Sequence, residues 1–173
     1  MQGKTEFTQF WHCPELGGLE VLKAQYQHKE FSKHVHEGYC INLIENGAQA
    51  FYRSGNMHVA PQGDIVLVNP DEVHTGSSAV EHGWGYRALY PTPDMIAHIS
   101  QDFFNSQGVA PWFPNAVVHD DGLAAQMRLL FDVLEQPNNA LFKETLYVNT
   151  LSCLISRHST QQRELATLPD AAR

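Results

Sequence analysis

The chain has 173 residues, 43% hydrophobic and 17% charged, with a net charge of −8 set by 19 acidic against 11 basic side chains. That length and balance describe one well-buried domain, or one domain with a small helical appendage. They exclude a nucleic-acid footprint within this stretch, because the basic residues are scattered from Lys4 to Arg173, and a membrane-spanning helix, because no apolar run approaches the roughly 20 residues needed.

In chain order, the opening MQGKTEFTQFWHC is polar and mixed, unlike a secretory signal. Cys13, Cys40 and Cys153 are far apart and odd in number, so neither a disulfide framework nor a zinc ribbon is indicated. A reducing, cytoplasmic compartment is expected. The first apolar-rich run is LEVLKAQY (19–26). FSKHVHEGYC (31–40) reads as a strand carrying His34 and His36, which at strand spacing share one face about 7 Å apart. YCINLIENG (39–47) predicts a strand closed by a hairpin turn at Asn46-Gly47. AQAFYRSGN (48–56) is its return strand, in which Tyr52 rather than Arg53 is expected to face inward. MHVAP (57–61), IVLVNP (65–70), VHTGSS (73–78) and GWGYRALYP (83–91) follow, separated by Gln62-Gly63-Asp64 and Asp71-Glu72. Six or seven short strands with turn signals at this spacing predict a sandwich or barrel over residues 1–92.

After residue 92 the apolar period shifts towards 3.6. Thr92-Pro93-Asp94 supplies an N-cap and a proline at N1 for a helix over 95–104. Asp120 or Asp121 caps a second helix with Leu123, Met127, Leu130, Phe131 and Leu134 on one face. Gln136-Pro137-Asn138-Asn139 breaks it, and a third helix is predicted over 140–158. Its apolar stripe is broader than one packed face needs, which fits burial against the strands or a dimer contact. The helical region is taken as 93–165, and 166–173 as a linker or truncated end.

Chemistry-bearing residues gather in the first half. His74, in NPDEVHTG, stands just past an apolar strand and a turn. Two strands bringing HxH and a later H towards a barrel lumen leave three readings open for His34, His36 and His74. They hold a divalent metal such as zinc, they exchange hydrogen bonds with a small molecule in a ligand pocket, or they are structural. Along 84–90, Trp84, Tyr86, Ala88 and Tyr90 share a face, opposite Arg87 and Leu89. Trp84 and Tyr86 are candidates to stack on a ligand, with core packing the alternative. Arg87 is either a carboxylate clamp or a salt-bridge partner. Cys40 is either a zinc thiolate or a buried inert thiol. His58, His82, His98, His119 and His158 have no spacing partner.

The HxH and the run Gly63-Asp64-IVLVN-Pro70-Asp71-Glu72-Val73-His74 resemble the two cupin motifs. Metal-binding cupins place a Glu four or five residues after the HxH. Here those positions are Cys40 and Ile41. The longer stretch from FSKHVHEGYC through PDEVHTG to GWGYRALYP is similar to the N-terminal sensor domain of AraC-type transcription regulators. That resemblance covers about residues 15–92 closely and the helices more loosely.

It implies a mainly β fold with C-terminal helices: a cupin-like jelly-roll β-barrel that binds an effector, followed by a helical dimerisation hairpin. It implies a homodimer, a small-molecule effector (sugar, amino acid or other small organic acid), no required cofactor and no membrane partner. DNA would be reached only through a C-terminal helix-turn-helix unit, absent before Arg173. Ligand contacts are expected from His34, His36, His74, Tyr86, Trp84 and Tyr52, with no catalytic residue. The alternative is a single-domain metal-dependent cupin enzyme, a dioxygenase or isomerase.

Overall fold

The structure, a computed structural model, describes residues 6–104, 108–137 and 139–160; the expected linker at 166–173 lies outside them. Among these residues, nine strands are followed or interleaved by three α-helices, with a 3-10 turn at Pro14–Leu16. They are β1 (Phe7–Cys13), β2 (Leu19–Tyr26), β3 (Phe31–His34), β4 (Cys40–Arg53), β5 (Asn56–Pro61), β6 (Ile65–Val68), β7 (His74–Ser78), β8 (Trp84–Tyr90), α1 (Pro93–Phe104), β9 (Val117–Val118), α2 (Asp121–Leu134) and α3 (Ala140–His158). The expected mainly β fold with C-terminal helices is what forms. β1 has no clear alternation (Phe7, Phe10 and Trp11 are out of step), and its order comes from pairing with β2 rather than from its own pattern.

β4 organises the barrel. Its first residues, Cys40–Leu43, pair with β6, and Ile41–Gly47 pair with β8. Its last residues, Ala48–Arg53, pair with β5, and three of them also pair with β7. One strand therefore serves two sheets: β1-β2-β8-β4-β6-β9 on one side, and β5, β7 and β3 on the other. The hairpin expected at Asn46-Gly47 does not form, and the chain runs straight through it. Asn46 and Gly47 instead pair with Gly85 and Trp84, just past a bulge at Glu45, where the β4–β8 register shifts between Ile44 and Asn46. Gly47 is required there. Its φ is 67°, and a Cβ would lie 1.9 Å from the Gly83 carbonyl oxygen. The real turn is at Ser54-Gly55, both at positive φ, joining Arg53 to Asn56 as a two-residue type I′ hairpin.

The larger sheet is covered on both faces. Val21, Ile41, Leu43, Ile65, Leu67 and Leu89 point outward and pack on Leu123, Met127, Leu130 and Phe131 of α2 and on Leu151, Leu154 and Ile155 of α3. Their in-sequence neighbours Ala24, Cys40, Ile44, Val66, Val68, Trp84, Tyr86 and Ala88 point into the barrel. Each fully buried aliphatic or aromatic side chain contributes about 1.5–3 kcal/mol, so the helices form one continuous core with the sheet.

The helix starts follow their caps. Thr92 Oγ1 accepts from the Met95 N–H, Asp120 from Leu123 and Asn139 from Phe142. α3 is fixed at both ends: Lys143 reaches Glu15 at 2.6 Å, and Arg157 and His158 both reach Asp120. Burial opposes ionisation of Asp120, but the Leu123 N–H, His158 and Arg157 outweigh it and bring its pKa to about 2. Arg87 lies on the outward face of β8. It is buried in a network with Glu45, Asp132 and Glu135 and carries its guanidinium 5.1 Å from the Phe131 ring centre. Its role is to bind the sheet to α2.

Candidate functional site

β3 and β7 pair antiparallel with His34 directly opposite His74. β3 ends at His34, so His36 comes from the loop that follows, where its carbonyl accepts from the Asp71 N–H at 2.8 Å. The three rings still converge. Centroids are 4.2 Å apart for His34–His74, 5.0 Å for His34–His36 and 5.1 Å for His36–His74. One ligating nitrogen from each lies within 4.8 Å of the other two.

The backbone sets which nitrogen is available. His34 Nδ1 lies 2.7 Å from the Ser32 carbonyl and His74 Nδ1 lies 2.9 Å from the Glu72 carbonyl. A carbonyl only accepts, so in the neutral rings each Nδ1 carries the proton and each Nε2 keeps its lone pair. Burial lowers the pKa of His74 to about 4, with the neighbouring His34 and His36 adding to the effect against the Glu72 carbonyl. Burial, then His34, also lowers His36. His74 is therefore neutral and able to donate a lone pair at neutral pH.

Behind His74 is a second, buried polar layer. Arg53 is 1% exposed. It donates to Glu72 at 2.6 Å and to the Phe113 carbonyl at 2.6 Å. Asn69 exchanges hydrogen bonds with Phe113, donating to its carbonyl and accepting from its N–H. Burial alone would raise the Glu72 carboxyl, yet Ser54, Arg53 and the Asn69 N–H hold it below the usual range. That carboxylate is thus committed to Arg53. Among the described residues, the group of converging ligand atoms is three imidazoles with no carboxylate and no thiol.

The histidines border a cavity of about 290 Å³. Tyr26, Tyr86, Tyr90 and Phe31 give it aromatic walls, while Asn42, Gln49, Thr75 and the Cys40 thiol supply polar groups. Burial pushes the Cys40 thiol up to about 12 and raises the Tyr86 and Tyr90 hydroxyls. All three are protonated donors at neutral pH, and Cys40 hydrogen-bonds Asn42 rather than joining the histidines.

Among the expected site residues, His34, His36, His74 and Tyr86 come together around this cavity. Trp84 does not line it. It is fully buried behind, 5.4 Å from Tyr26 and stacked on Tyr86 at 6.5 Å. Tyr52 is also elsewhere, under the Lys33 ammonium at 5.1 Å, and Arg53 is the inward residue. The bulge is the reason. Before it Cys40, Asn42 and Ile44 face the lumen; after it Gln49, Phe51 and Arg53 are the buried set. One extra residue reverses the parity of everything beyond it. Tyr26, Phe31, Asn42, Gln49 and Tyr90 join His34, His36, His74 and Tyr86 as cavity residues. Alternation from Tyr86 points to Tyr90, and from Ala24 to Tyr26, whereas Gln49 needed the bulge to be known.

Fold and site together define a β-barrel binding domain whose lumen carries a histidine cluster and whose outer sheet face carries helices. Residues 16–151 match the family model for the AraC-like ligand binding domain, and the chain belongs to that family. A Bacillus subtilis (strain 168) relative, described as an uncharacterized HTH-type transcriptional regulator, is 27% identical over 152 residues, covering 88% of this chain and 54% of its own length. The chain thus spans about half of that relative. Solved structures similar to the chain include a cupin-family protein with a double-stranded β-helix fold from Methanocaldococcus jannaschii. It is 11% identical at a TM-score of 0.45, covering 53% of this chain and 86% of that one. A cupin-superfamily protein from Desulfitobacterium hafniense DCB-2 is 8% identical at a TM-score of 0.43, covering 53% and 82%. No helix among the described residues is long and apolar enough to cross a membrane.

Proposed function

We propose that this chain is the effector-binding and dimerisation part of a cytoplasmic, DNA-binding transcription regulator, and that it is a sensor rather than an enzyme. A small organic metabolite enters the barrel and is held by His34, His36, His74 and Tyr86. The observation that carries this reading is the cavity of about 290 Å³ bordered by imidazoles, tyrosine hydroxyls and amides, a combination typical of small-molecule sites. The helix-turn-helix relative supports the regulatory context. DNA would be bound by a separate C-terminal unit. The helical region would pair with a second copy, supported by exposed Leu129, Leu141 and Phe142 on α2 and α3. The test is operator binding by the full-length regulator with and without metabolites. A metabolite-dependent change that His74→Ala abolishes is expected; no change with any metabolite overturns the sensor role.

A second reading is favoured by one observation, the Nε2 lone pairs left free by the backbone bonds at Nδ1. Three imidazoles are a donor set that would hold Zn²⁺. One nitrogen from each ring lies within 4.8 Å of the other two, close enough to share one ion. Such an ion would supply a Lewis-acidic position for an oxygen or nitrogen of the effector. Elemental analysis of untagged protein tests it: one zinc per chain, lost in His34→Ala and His74→Ala, is expected, and less than a tenth of an equivalent overturns it.

A further inference from the structure

We infer that the segment 111–116 couples occupancy of the histidine site to the C-terminal end of α3, by way of the turn 69–72. The inference rests on the effector-binding reading and adds how an occupied site is sensed outside the barrel. The turn lies between β6 and β7 and holds two of the three histidines by backbone bonds. The Asp71 N–H donates to the His36 carbonyl at 2.8 Å, and the Glu72 carbonyl accepts from His74 Nδ1 at 2.9 Å. Side chains of the same turn reach the segment 111–116. Asn69 Nδ2 donates to the Phe113 carbonyl at 2.9 Å, and Asn69 Oδ1 accepts from the Phe113 N–H at 2.8 Å. Glu72 holds Arg53, which donates to that same carbonyl at 2.6 Å.

The segment is built to transmit a movement rather than absorb it. It reads Pro111-Trp112-Phe113-Pro114-Asn115-Ala116, and its two prolines fix φ at two of six positions. Its ends are tied to the barrel: the Tyr39 hydroxyl donates to the Pro111 carbonyl at 2.5 Å, and the Leu67 N–H to the Ala116 carbonyl at 3.0 Å. Its middle is tied to α3. The Trp112 carbonyl accepts from the Thr160 N–H at 2.9 Å, two residues past the end of the helix at His158. The Trp112 carbonyl and the Phe113 N–H belong to one planar peptide unit. Asn69 grips one side of that plane and Thr160 the other. The turn therefore cannot tilt the plane without straining the bond at α3.

Coupling requires two arrangements that a ligand distinguishes. Here they are the Trp112–Thr160 bond made and the same bond broken. A ligand on the His36 and His74 rings loads the turn that carries both, and the turn carries the load to the peptide plane. The six residues 111–116 are not among those lining the cavity, so the effector reaches them through the turn. The route runs through loop backbone rather than through the sheet.

Two measurements test this. The first needs no ligand. It uses the 173-residue chain in chelator and reads amide hydrogen exchange at Thr160 by NMR, relative to the amides of α2. His74→Ala, with His74→Leu as the second variant, should change exchange at Thr160 about fivefold or more against α2. In an Asn69→Ala background the same histidine change should leave it within about twofold. Exchange at Thr160 that follows α2 in both histidine variants overturns the proposal, and so does an undiminished effect in the Asn69→Ala background. The second measurement uses Zn²⁺ as the probe and reads its affinity by competition with a chelating dye. Thr160→Pro deletes the N–H, and Ser159, at φ −100° and ψ 164°, already has the extended backbone that precedes a proline. Thr160→Ala keeps the N–H and is the control. Linkage is reciprocal, so Thr160→Pro should shift zinc affinity about fivefold or more while Thr160→Ala leaves it unchanged. Equal affinity in all three overturns the coupling while the histidine site stands. If the chain binds no zinc, the metal reading falls and the exchange measurement decides alone. A full-length regulator that responds to metabolites while Thr160 exchange ignores the histidine variants keeps the effector reading and loses this coupling.

Discussion

The two faces of the large sheet are built from the same strands and have opposite characters. The outward face is almost wholly aliphatic and aromatic, sealed by α2 and α3, and its buried Arg87 is paired with Glu45, Asp132 and Glu135. The inward face mixes tyrosines, a thiol, amides and imidazoles, and it leaves a cavity. Because residues alternate, Ile41 and Asn42 are neighbours in sequence and occupy different environments. The difference teaches that stability and recognition are separated by side-chain parity rather than by region of chain. Changes to one face should reach the other only weakly.

The strongest way to break that separation is to empty the outer core. Phe131→Ala should cost about 3–5 kcal/mol, read as a lower urea midpoint, with the zinc occupancy proposed for the histidine cluster unchanged from wild type wherever the variant remains folded. A loss of zinc binding in folded Phe131→Ala would show that the two faces are coupled. The next largest cost is expected from Arg53→Ala, about 3 kcal/mol, because the half-buried Glu72 carboxylate would lose its ion-pair partner and the Phe113 carbonyl a donor. Here the effect should carry into the site, since the Glu72 carbonyl orients His74. Arg53 thus marks the place where the inner face depends on an ion pair.

A pH titration sharpens the contrast next. The folded-state pKa of His74 is about 4, against an ordinary 6.5. Between those values the unfolded chain binds the proton and the folded one does not. Stability from this group is therefore complete above about pH 6.5 and is lost as pH falls towards 4, on the order of 3 kcal/mol in all. His36 shifts in the same direction, and His119, raised mainly by Asp64, shifts in the opposite one. Comparing wild type with His74→Gln in chelator cancels both. The variant should show a shallower loss between pH 6.5 and 4.5; parallel curves would mean that His74 is not held neutral by burial.

What the sequence made legible follows the same physics. Strands β2 and β5–β8 and all three helices are legible, because their patterns are local: period 2, period 3.6, and caps at Thr92, Asp120 and Asn139. The three histidines were readable as a set from the HxH and the later His74. Tyr52 and Gln49 both lie beyond the bulge at Glu45, across which local alternation does not carry. An Asn-Gly pair is written identically for a hairpin and for a strand that runs on, and here it stays paired with β8, with Gly47 packed against the Gly83 carbonyl. The Arg53–Glu72 pair was illegible for a related reason, since a buried arginine looks like any surface arginine until its strand parity is known.

The smallest expected effect tests whether the helical layer is held by its own ends or by the sheet. Asn139 caps α3 by accepting from the Phe142 N–H at 2.7 Å, and Asn139→Ala should cost about 1 kcal/mol in urea unfolding. α3 is also fixed by Lys143 to Glu15, by Arg157 and His158 to Asp120, and by Leu151, Leu154 and Ile155 in the outer core. With so many other restraints, losing the cap should fray one turn near the exposed Leu141 and Phe142 without loosening the sheet. Hydrogen exchange distinguishes the cases. Faster exchange confined to the first turn of α3 fits a helix held by packing, whereas faster exchange spreading into β4 and β8 would mean that the cap stabilises the barrel itself and that the two faces are less independent than their parity implies.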